Sequence, residues 1–229
     1  EFQGWGTTIG EEVHHLAEVA HILHGINLGA TAIGTTVTAA PGYPALAVKH
    51  LSDVTGIKFT LAEDLIEATS DTGDYVLLSA VLKHTSVKLT KICNDLRMLA
   101  SGPRCGFNEI NLPEKQPGSS IMPGKVNPVI PEVVNQTGFL VIGLDLTVTL
   151  AASAGQLQLN VMEPVITFAL FASIAAMERA VTSLRVNCVE GITANAEHTQ
   201  EMVLNSLGIV TVLKPSLGYK QCAEIAHEG

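Results

Sequence analysis

Apolar residues recur at helical spacing through the middle of the chain. Between Tyr75 and Leu99 they alternate at steps of three and four residues, and only Thr85 interrupts the apolar stripe. This heptad-like pattern predicts one long helix that packs at a shallow angle in a bundle. At 1.5 Å per residue the helix would be roughly 37 Å long, which fits an extended bundle better than a small globular core.

Further helices are predicted where apolar spacing meets residues that typically begin or end a helix. Thr8 and Glu11 have the spacing of a capping box, and Gly25 follows as a stop. Asn127 is the predicted N-cap of a later helix, and Pro164 is expected to kink the next one. The predicted spans are about 8–24, 127–152, 157–188, 196–206 and 217–227.

The segments between these helices lack helical periodicity. Residues 27–36 are small, polar and rich in glycine, which is typical of a loop that another group approaches closely. Residues 41–44 are predicted to be a turn, and residues 101–126, with four prolines and four glycines, to be a loop. No strand or internal repeat stands out. The predicted class is all-α, a long-helix bundle, with a central domain over 1–190 and the start of a truncated C-terminal helical domain over 191–229.

The composition narrows the function classes. The 229 residues are 47% hydrophobic and 15% charged, which excludes intrinsic disorder, and the net charge of −9 argues against nucleic acid and anionic membranes as partners. The most apolar runs, 139–154 and 165–177, are interrupted by Asp145 or too short to span a bilayer. We therefore expect helices that are buried by copies of the chain. The four scattered cysteines are typical of reduced thiols in a cytoplasmic protein.

The most informative segment is Gly118–Pro128, GSSIMPGKVNP. It is not a phosphate-binding P-loop, because five residues separate its glycines and Val126 follows the lysine. It still combines two hydroxyls and one ammonium with a predicted helix start, whose free N–H groups favour an anion. Lys125 and Asn127 are placed to hold a small carboxylate or phosphate, and a serine in so positive a setting can act as a base. A solvated surface loop is the alternative that the residues alone leave open.

The same segment resembles the signature of the aspartase/fumarase superfamily, G-S-S-x-M-P-x-K-x-N-P, and matches it at every fixed position. Class II fumarases share this loop but usually differ in the segments that correspond to Val129–Val133 and Gly155–Pro164. Further stretches, spread over nearly the whole chain, resemble the aspartase branch of the family. They are residues 27–35, 94–106, 108–113, 129–136, 155–165 and 191–195.

The resemblance implies an all-α domain whose long helices associate in a homotetramer, and a reversible β-elimination of ammonia from L-aspartate to give fumarate. Ser119, in the signature loop over residues 116–128, is implied to be the general base. Lys125 and Asn127 are implied to bind the substrate carboxylate, with Ser120 as a further contact. Glu132 matches a glutamate that supports a histidine in fumarases. The family requires no metal or organic cofactor for this chemistry, although Mg²⁺ activates some members.

The chain also departs from the family pattern. It begins just after the family's Thr-His substrate-binding pair and lacks an earlier Ser-Thr-Asn segment, and its first residue is Glu1 and not Met. We therefore expect a piece of a longer protein, which is inactive alone because family sites combine loops from three subunits. The alternatives are a class II fumarase or another superfamily lyase, and a non-catalytic helical oligomerisation fragment.

Two other groups of residues carry candidate chemistry. Four histidines lie on the first predicted helix, and two of them, His21 and His24, have a spacing that can bind metal. No thiol or clear carboxylate completes a ligand set, so a polar helix face is expected and no metal site is predicted. Cys105 lies near the signature loop and is expected to be an inert, packed side chain.

Overall fold

The computed structural model describes residues 1–116, 122 and 125–228, and this part of the chain is mostly helical, as the predicted all-α class requires. Two short 3₁₀ helices lie near its C-terminal end, at Val189–Gly191 and Leu207–Leu213. The α-helices of the described residues are α1 (Phe2–Ile22), α2 (Tyr43–Thr55), α3 (Glu67–Ser70), α4 (Gly73–Leu99), α5 (Val129–Ser153), α6 (Glu163–Asn187), α7 (Ala196–Leu204) and α8 (Lys214–Glu228).

Short strands add two small sheets to the described residues. The pair β1 (Gly25–Ile26) and β2 (Thr60–Leu61) is parallel, and the pair β3 (Ile110–Asn111) and β4 (Thr193–Ala194) is antiparallel. The sequence predicted no strand, and this is corrected. Strands of two residues are too short to show the alternation by which a strand is recognised in a sequence.

The chain divides into two compact units, each made of two segments. One unit comprises Glu1–Asn94 and Ile130–Leu184, and the other comprises Asp95–Val129 and Arg185–Gly229. The domain boundary predicted at residue 190 stays a prediction. In the first unit, buried apolar side chains of four helices form the core: Val19 of α1, Leu82 and Leu89 of α4, Val141 and Val148 of α5, and Ile166 and Ala169 of α6.

The prediction of a long central helix is confirmed. The helix α4 has 27 residues and includes the whole stripe from Tyr75 to Leu99. Thr85, the polar residue of the stripe, is buried, and its hydroxyl lies 2.9 Å from a carboxylate oxygen of Glu12 on α1. The interruption of the apolar stripe is therefore a polar contact between two helices.

Two predicted features of the helix starts are wrong. The helix α1 begins at Phe2, so Thr8 lies inside the helix and does not cap it. The helix α6 begins at Glu163, so Pro164 lies in its first turn and does not kink it. Proline is tolerated there because the first N–H groups of a helix have no intrahelical acceptor.

Two further segments contain more helix than predicted. At residues 41–44 the turn leads into α2, where Gly42 is the N-cap in the left-handed conformation (φ 76°) and a proline stands at the helix start. The predicted connector at residues 208–215 is largely a 3₁₀ helix, which leads into α8. The helix α8 is interrupted at Gly218, whose φ of 77° is not helical.

The helix α5 and the stretch Glu163–Gly191 are each long and apolar enough to cross a membrane, by length and composition only. This is weak evidence, because the core helix of a soluble protein passes the same test. Asp145, in the middle of α5, is buried and accepts hydrogen bonds from Ser79 Oγ (2.8 Å) and Lys83 Nζ (2.5 Å) on α4. This charged contact joins α5 to α4 inside the first unit.

Candidate functional site

The signature loop leads directly into α5. Lys125 is exposed, and its backbone N–H donates to the carbonyl of Met122 (3.2 Å). Asn127 is half-buried, and its carbonyl accepts from the N–H of Val129 (2.9 Å), where α5 begins. An ammonium and a carboxamide therefore precede a helix N-terminus, where the helix dipole favours an anion.

Three further site residues were predicted from the sequence, and the structure describes one of them. Ser119 and Ser120 lie outside the described residues, which omit 117–121 and 123–124. Glu132 lies in the first turn of α5 and is half-buried. The roles of all five residues stay predictions, and the described flank of the loop is compatible with a carboxylate-binding segment.

The glycine-rich segment over residues 27–36 packs against α3. The side-chain amide of Asn27 donates to Thr69 Oγ1 (3.1 Å). At Gly34 (φ 79°), an added Cβ would lie 2.2 Å from the carbonyl oxygen of Leu65. Both the backbone conformation and the lack of space require glycine at this position. The close approach predicted from the sequence is confirmed, and the approaching group is the backbone of the same chain.

Asn160 holds the segment over residues 155–162 through every polar group of its side chain. Its amide nitrogen donates to the carbonyls of Ala151 and Ala152 (3.1 Å each), and its Oδ1 accepts from the N–H of Met162 (2.8 Å). Its backbone N–H donates to the carbonyl of Thr69 (3.3 Å). Asn160 is almost fully buried, so these hydrogen bonds replace contacts with water.

Thr69 therefore joins two segments that both resemble the family, residues 27–36 through its hydroxyl and residues 155–162 through its carbonyl. Thr69 does not stand out in the sequence, and Asn160 stands out only as part of residues 155–165, which resemble the family. Contacts between positions so far apart leave no periodic signal in a sequence. These two residues support the two segments through hydrogen bonds.

The histidine pair predicted from the sequence is close in space. The rings of His21 and His24 lie 5.0 Å apart in an edge-on contact. A different set of side chains brings its ligand atoms within 4.8 Å of one another among the described residues: Glu12 and His15 of α1 with His84 of α4. His84 lies 72 positions from Glu12. Spacing along one helix could not have revealed this set.

The cysteines differ in exposure. Cys105 is exposed in the loop between α4 and β3, whereas Cys93, Cys188 and Cys222 are buried. Burial raises the pKa of the Cys188 thiol to about 11, so its reactive thiolate is scarce at neutral pH. The expectation that Cys105 is a packed side chain is wrong, because the loop leaves it at the surface.

The sequence is similar to known lyases. A family model described as Lyase matches residues 1–143. The chain is 58% identical over 227 residues to the aspartate ammonia-lyase of Pseudomonas aeruginosa, an alignment that covers 99% of this chain and 48% of that protein. The chain thus spans about half the length of the curated relatives it matches.

Solved structures with the same fold include a fumarate lyase:delta crystallin of Brucella melitensis bound to cobalt, with a TM-score of 0.95 and 49% identity. That match covers 100% of this chain and 50% of the other. A recombinant class II fumarase of Schistosoma mansoni has a TM-score of 0.91 at 31% identity and covers 98% of this chain and 50% of the other. The fold of the chain is therefore that of fumarate lyases.

Proposed function

The chain belongs to the lyase family, and from this we propose that it is part of an aspartate ammonia-lyase, which converts L-aspartate reversibly into fumarate and ammonium. The observation that carries the proposal is the 58% identity to a protein of that name over 99% of the chain. The signature segment Gly118–Pro128 lies within this alignment. The class II fumarase is more distant, at 31% identity.

The proposed chemistry assigns a role to each of four loop residues. Ser119 removes a proton from the carbon next to the distal carboxylate of aspartate, and the electron pair moves into that carboxylate as an aci-carboxylate. The pair then returns to form the carbon–carbon double bond as the carbon–nitrogen bond breaks, and the ammonium group of the substrate leaves as ammonia. Ser119 releases its proton to solvent and ammonia takes up one proton, so the products are fumarate and ammonium and the base is regenerated. Lys125 and Asn127 hold the carboxylate on which charge builds up, and Ser120 is a further contact.

The described flank of the loop supports this assignment electrostatically. The elimination is difficult because negative charge accumulates on the carboxylate oxygens in the transition state. Preorganised donors directed at that charge are the largest single help that a protein can give. Lys125 is exposed and Asn127 half-buried, both directly before the N-terminus of α5. Glu132, in the first turn of α5, is proposed to support the site without contacting the reacting atoms.

Replacing Ser119 tests whether it is the catalytic base. In the full-length protein, Ser119→Ala should lower the rate of fumarate formation by about 10²- to 10⁴-fold, because a positioned general base contributes about that much. The rate is followed by the absorbance of fumarate. Ser120→Ala is the matched control and should lose far less turnover. Full activity in Ser119→Ala, with an unchanged fold and assembly, would reject the proposed base.

An assay of the full-length protein on L-aspartate and L-malate also tests two alternative functions. A class II fumarase would act on L-malate and leave L-aspartate unchanged. A non-catalytic helical protein would keep its assembly and act on neither, and a solved relative described as fumarate lyase:delta crystallin gives this reading its support. Activity on L-aspartate in the full-length protein distinguishes the proposed function from both.

The partner that we propose is the chain itself, in a homotetramer in the cytoplasm. The apolar windows of α5 and of the stretch Glu163–Gly191 are each only 33% buried within one chain. We favour copies of the chain over lipid on this surface, because the middle of α5 carries the charged residue Asp145, which pairs with Lys83 of α4. We propose no required cofactor; Mg²⁺, as an activator, is the ion to test in the assay.

A further inference from the structure

A buried carboxylate joins α1 to α4. Glu12 is 1% exposed, and its two oxygens accept hydrogen bonds from groups on both helices. Lys88 Nζ lies 2.6 Å from Oε1, and Thr85 Oγ1 lies 2.9 Å from Oε2. Burial alone raises the pKa of Glu12, but hydrogen bonds from Lys88, Thr85 and the two histidines outweigh it and lower the pKa to about 2. The carboxylate is therefore charged at neutral pH.

Two histidines complete this cluster from the solvent side. His15 Nδ1 lies 3.1 Å from Oε1 of Glu12, and His84 Nδ1 lies 2.9 Å from Oε2. Their side chains are 45% and 52% exposed, and their ring centroids lie 5.9 Å apart. A charged, buried carboxylate thus faces two imidazoles that solvent, and a dissolved ion, can reach.

We propose that Glu12, His15 and His84 form a binding site for a divalent transition-metal ion such as Zn²⁺, which links α1 to α4. Their ligand atoms already lie within 4.8 Å of one another. In a tetrahedral site with bonds of about 2.0–2.1 Å, neighbouring ligand atoms are about 3.3 Å apart. His15 Nδ1 lies 3.1 Å from Oε1 and His84 Nδ1 lies 2.9 Å from Oε2. Each nitrogen is therefore within a few tenths of an ångström of that edge from its own carboxylate oxygen, and the ion must draw both nitrogens toward one oxygen.

The ligand types favour a transition metal over Mg²⁺ or Ca²⁺. Imidazole nitrogens suit Zn²⁺, Co²⁺, Ni²⁺ and Cu²⁺, whereas Mg²⁺ and Ca²⁺ prefer sites built of oxygen. In the metal complex each neutral imidazole carries its proton on Nε2, and the Nδ1 proton that contacts Glu12 in the free site passes to solvent or to Nε2 through solvent. Nδ1 then offers its lone pair to the metal. The two hydrogen bonds from His15 and His84 to Glu12 are then replaced by bonds to the ion, and water from the open side supplies the fourth ligand.

Lys88 is the group that competes with the metal for Glu12. Its ammonium contacts Glu12 directly, but it also lies 3.3 Å from Oε2 of Glu11. Glu11 is 58% exposed at its side chain and is a second carboxylate to which Lys88 can turn. The bound ion therefore does not leave the ammonium without an acceptor, and Thr85 continues to orient Glu12.

Metal titration of the full-length protein tests this site, after bound metal has been removed with a chelator. Co²⁺ should bind at one equivalent per chain and give the visible absorption of a tetrahedral complex, and Zn²⁺ should displace it. His15→Ala and His84→Ala should each weaken binding at least tenfold. His14→Ala, which removes an exposed histidine next to the cluster, is the matched control and should bind as the parent does.

The same variants give a readout in stability. A ligand that binds only the folded chain raises the unfolding midpoint. Zn²⁺ should therefore raise the midpoint of the parent and of His14→Ala, and should leave those of His15→Ala and His84→Ala nearly unchanged. Binding of equal strength in all four proteins, or no Co²⁺ absorption with the parent, would overturn the proposal. Neither readout depends on catalysis, so the result is independent of the proposed lyase activity.

Discussion

At the scale of single residues, buried polar side chains join segments that are far apart in the sequence. Asn160 uses its amide and its carbonyl oxygen to tie the end of α5 to the start of α6. Thr69 connects this segment to residues 27–36. Such contacts are specific because a buried polar group that loses its partner is not compensated by water.

Removing the Asn160 side chain should therefore be costly. Asn160→Ala leaves the carbonyls of Ala151 and Ala152 and the N–H of Met162 without these partners. Since an unsatisfied buried polar group costs about 1–3 kcal/mol, we expect a loss of about 2–4 kcal/mol in the free energy of unfolding. Urea unfolding followed by circular dichroism measures the loss.

Asn205→Ala provides the comparison for this variant. Asn205 is exposed at the end of α7, so its replacement should change the unfolding free energy by no more than about 0.5 kcal/mol. If both variants unfold at the same urea concentration, the hydrogen bonds of Asn160 do not support the folded segment as described.

At the scale of elements, the packing of residues 27–36 on α3 depends on a position that only glycine can occupy. At Gly34 the positive φ and the nearby carbonyl of Leu65 both oppose a side chain. Gly56, the C-cap of α2, also has a positive φ of 72°, but an added Cβ there would meet nothing within 4 Å. A side chain at Gly56 would therefore meet only backbone strain, whereas a side chain at Gly34 would meet backbone strain and steric overlap.

Alanine at these two positions should lower the free energy of unfolding by different amounts. Gly56→Ala should cost about 1 kcal/mol, which is typical of a non-glycine residue in the left-handed region. Gly34→Ala should cost at least twice as much, because the backbone around Leu65 must also move. Gly25→Ala, at a position with neither constraint, is the reference. Equal unfolding free energies for Gly34→Ala and Gly56→Ala would show that the close contact is relieved at no cost.

At the scale of the whole molecule, one chain leaves large apolar side chains of its longest helices at the surface. On α5 they include Phe139, Leu146 and Leu150, and on α6 they include Phe168 and Phe171. Exposed large apolar side chains that form one patch mark an interaction site in a soluble protein. The proposed tetramer would bury it.

A charge on this surface should prevent association. Leu146→Asp introduces a carboxylate at a side chain that is 59% exposed in one chain, and burial of an unpaired charge is unfavourable. We expect sedimentation velocity to detect smaller species at concentrations at which the parent is fully assembled. Val54→Asp, which places the same charge on α2, should assemble like the parent. Unchanged assembly of Leu146→Asp would exclude this part of α5 from the interface.

The amino-acid sequence was sufficient to predict the helical class, the long helix α4 and the beginning of α5 to within two residues. These features follow from local rules, because apolar periodicity and capping residues act within a few turns of one helix. It also determined the family, through the unbroken signature Gly118–Pro128. It misplaced the start of α1 and the role of Pro164, since several residues can begin a helix and packing selects among them.

Which distant residues meet depends on how the helices pack. Glu12 and His84 lie on different helices, as do Ser79 and Asp145, and Thr69 meets both Asn27 and Asn160. No periodicity along the chain encodes such pairs, because they arise when separate helices pack. The sequence therefore named the residues that resemble a lyase site, whereas the packing of α1 on α4 produced the cluster around Glu12.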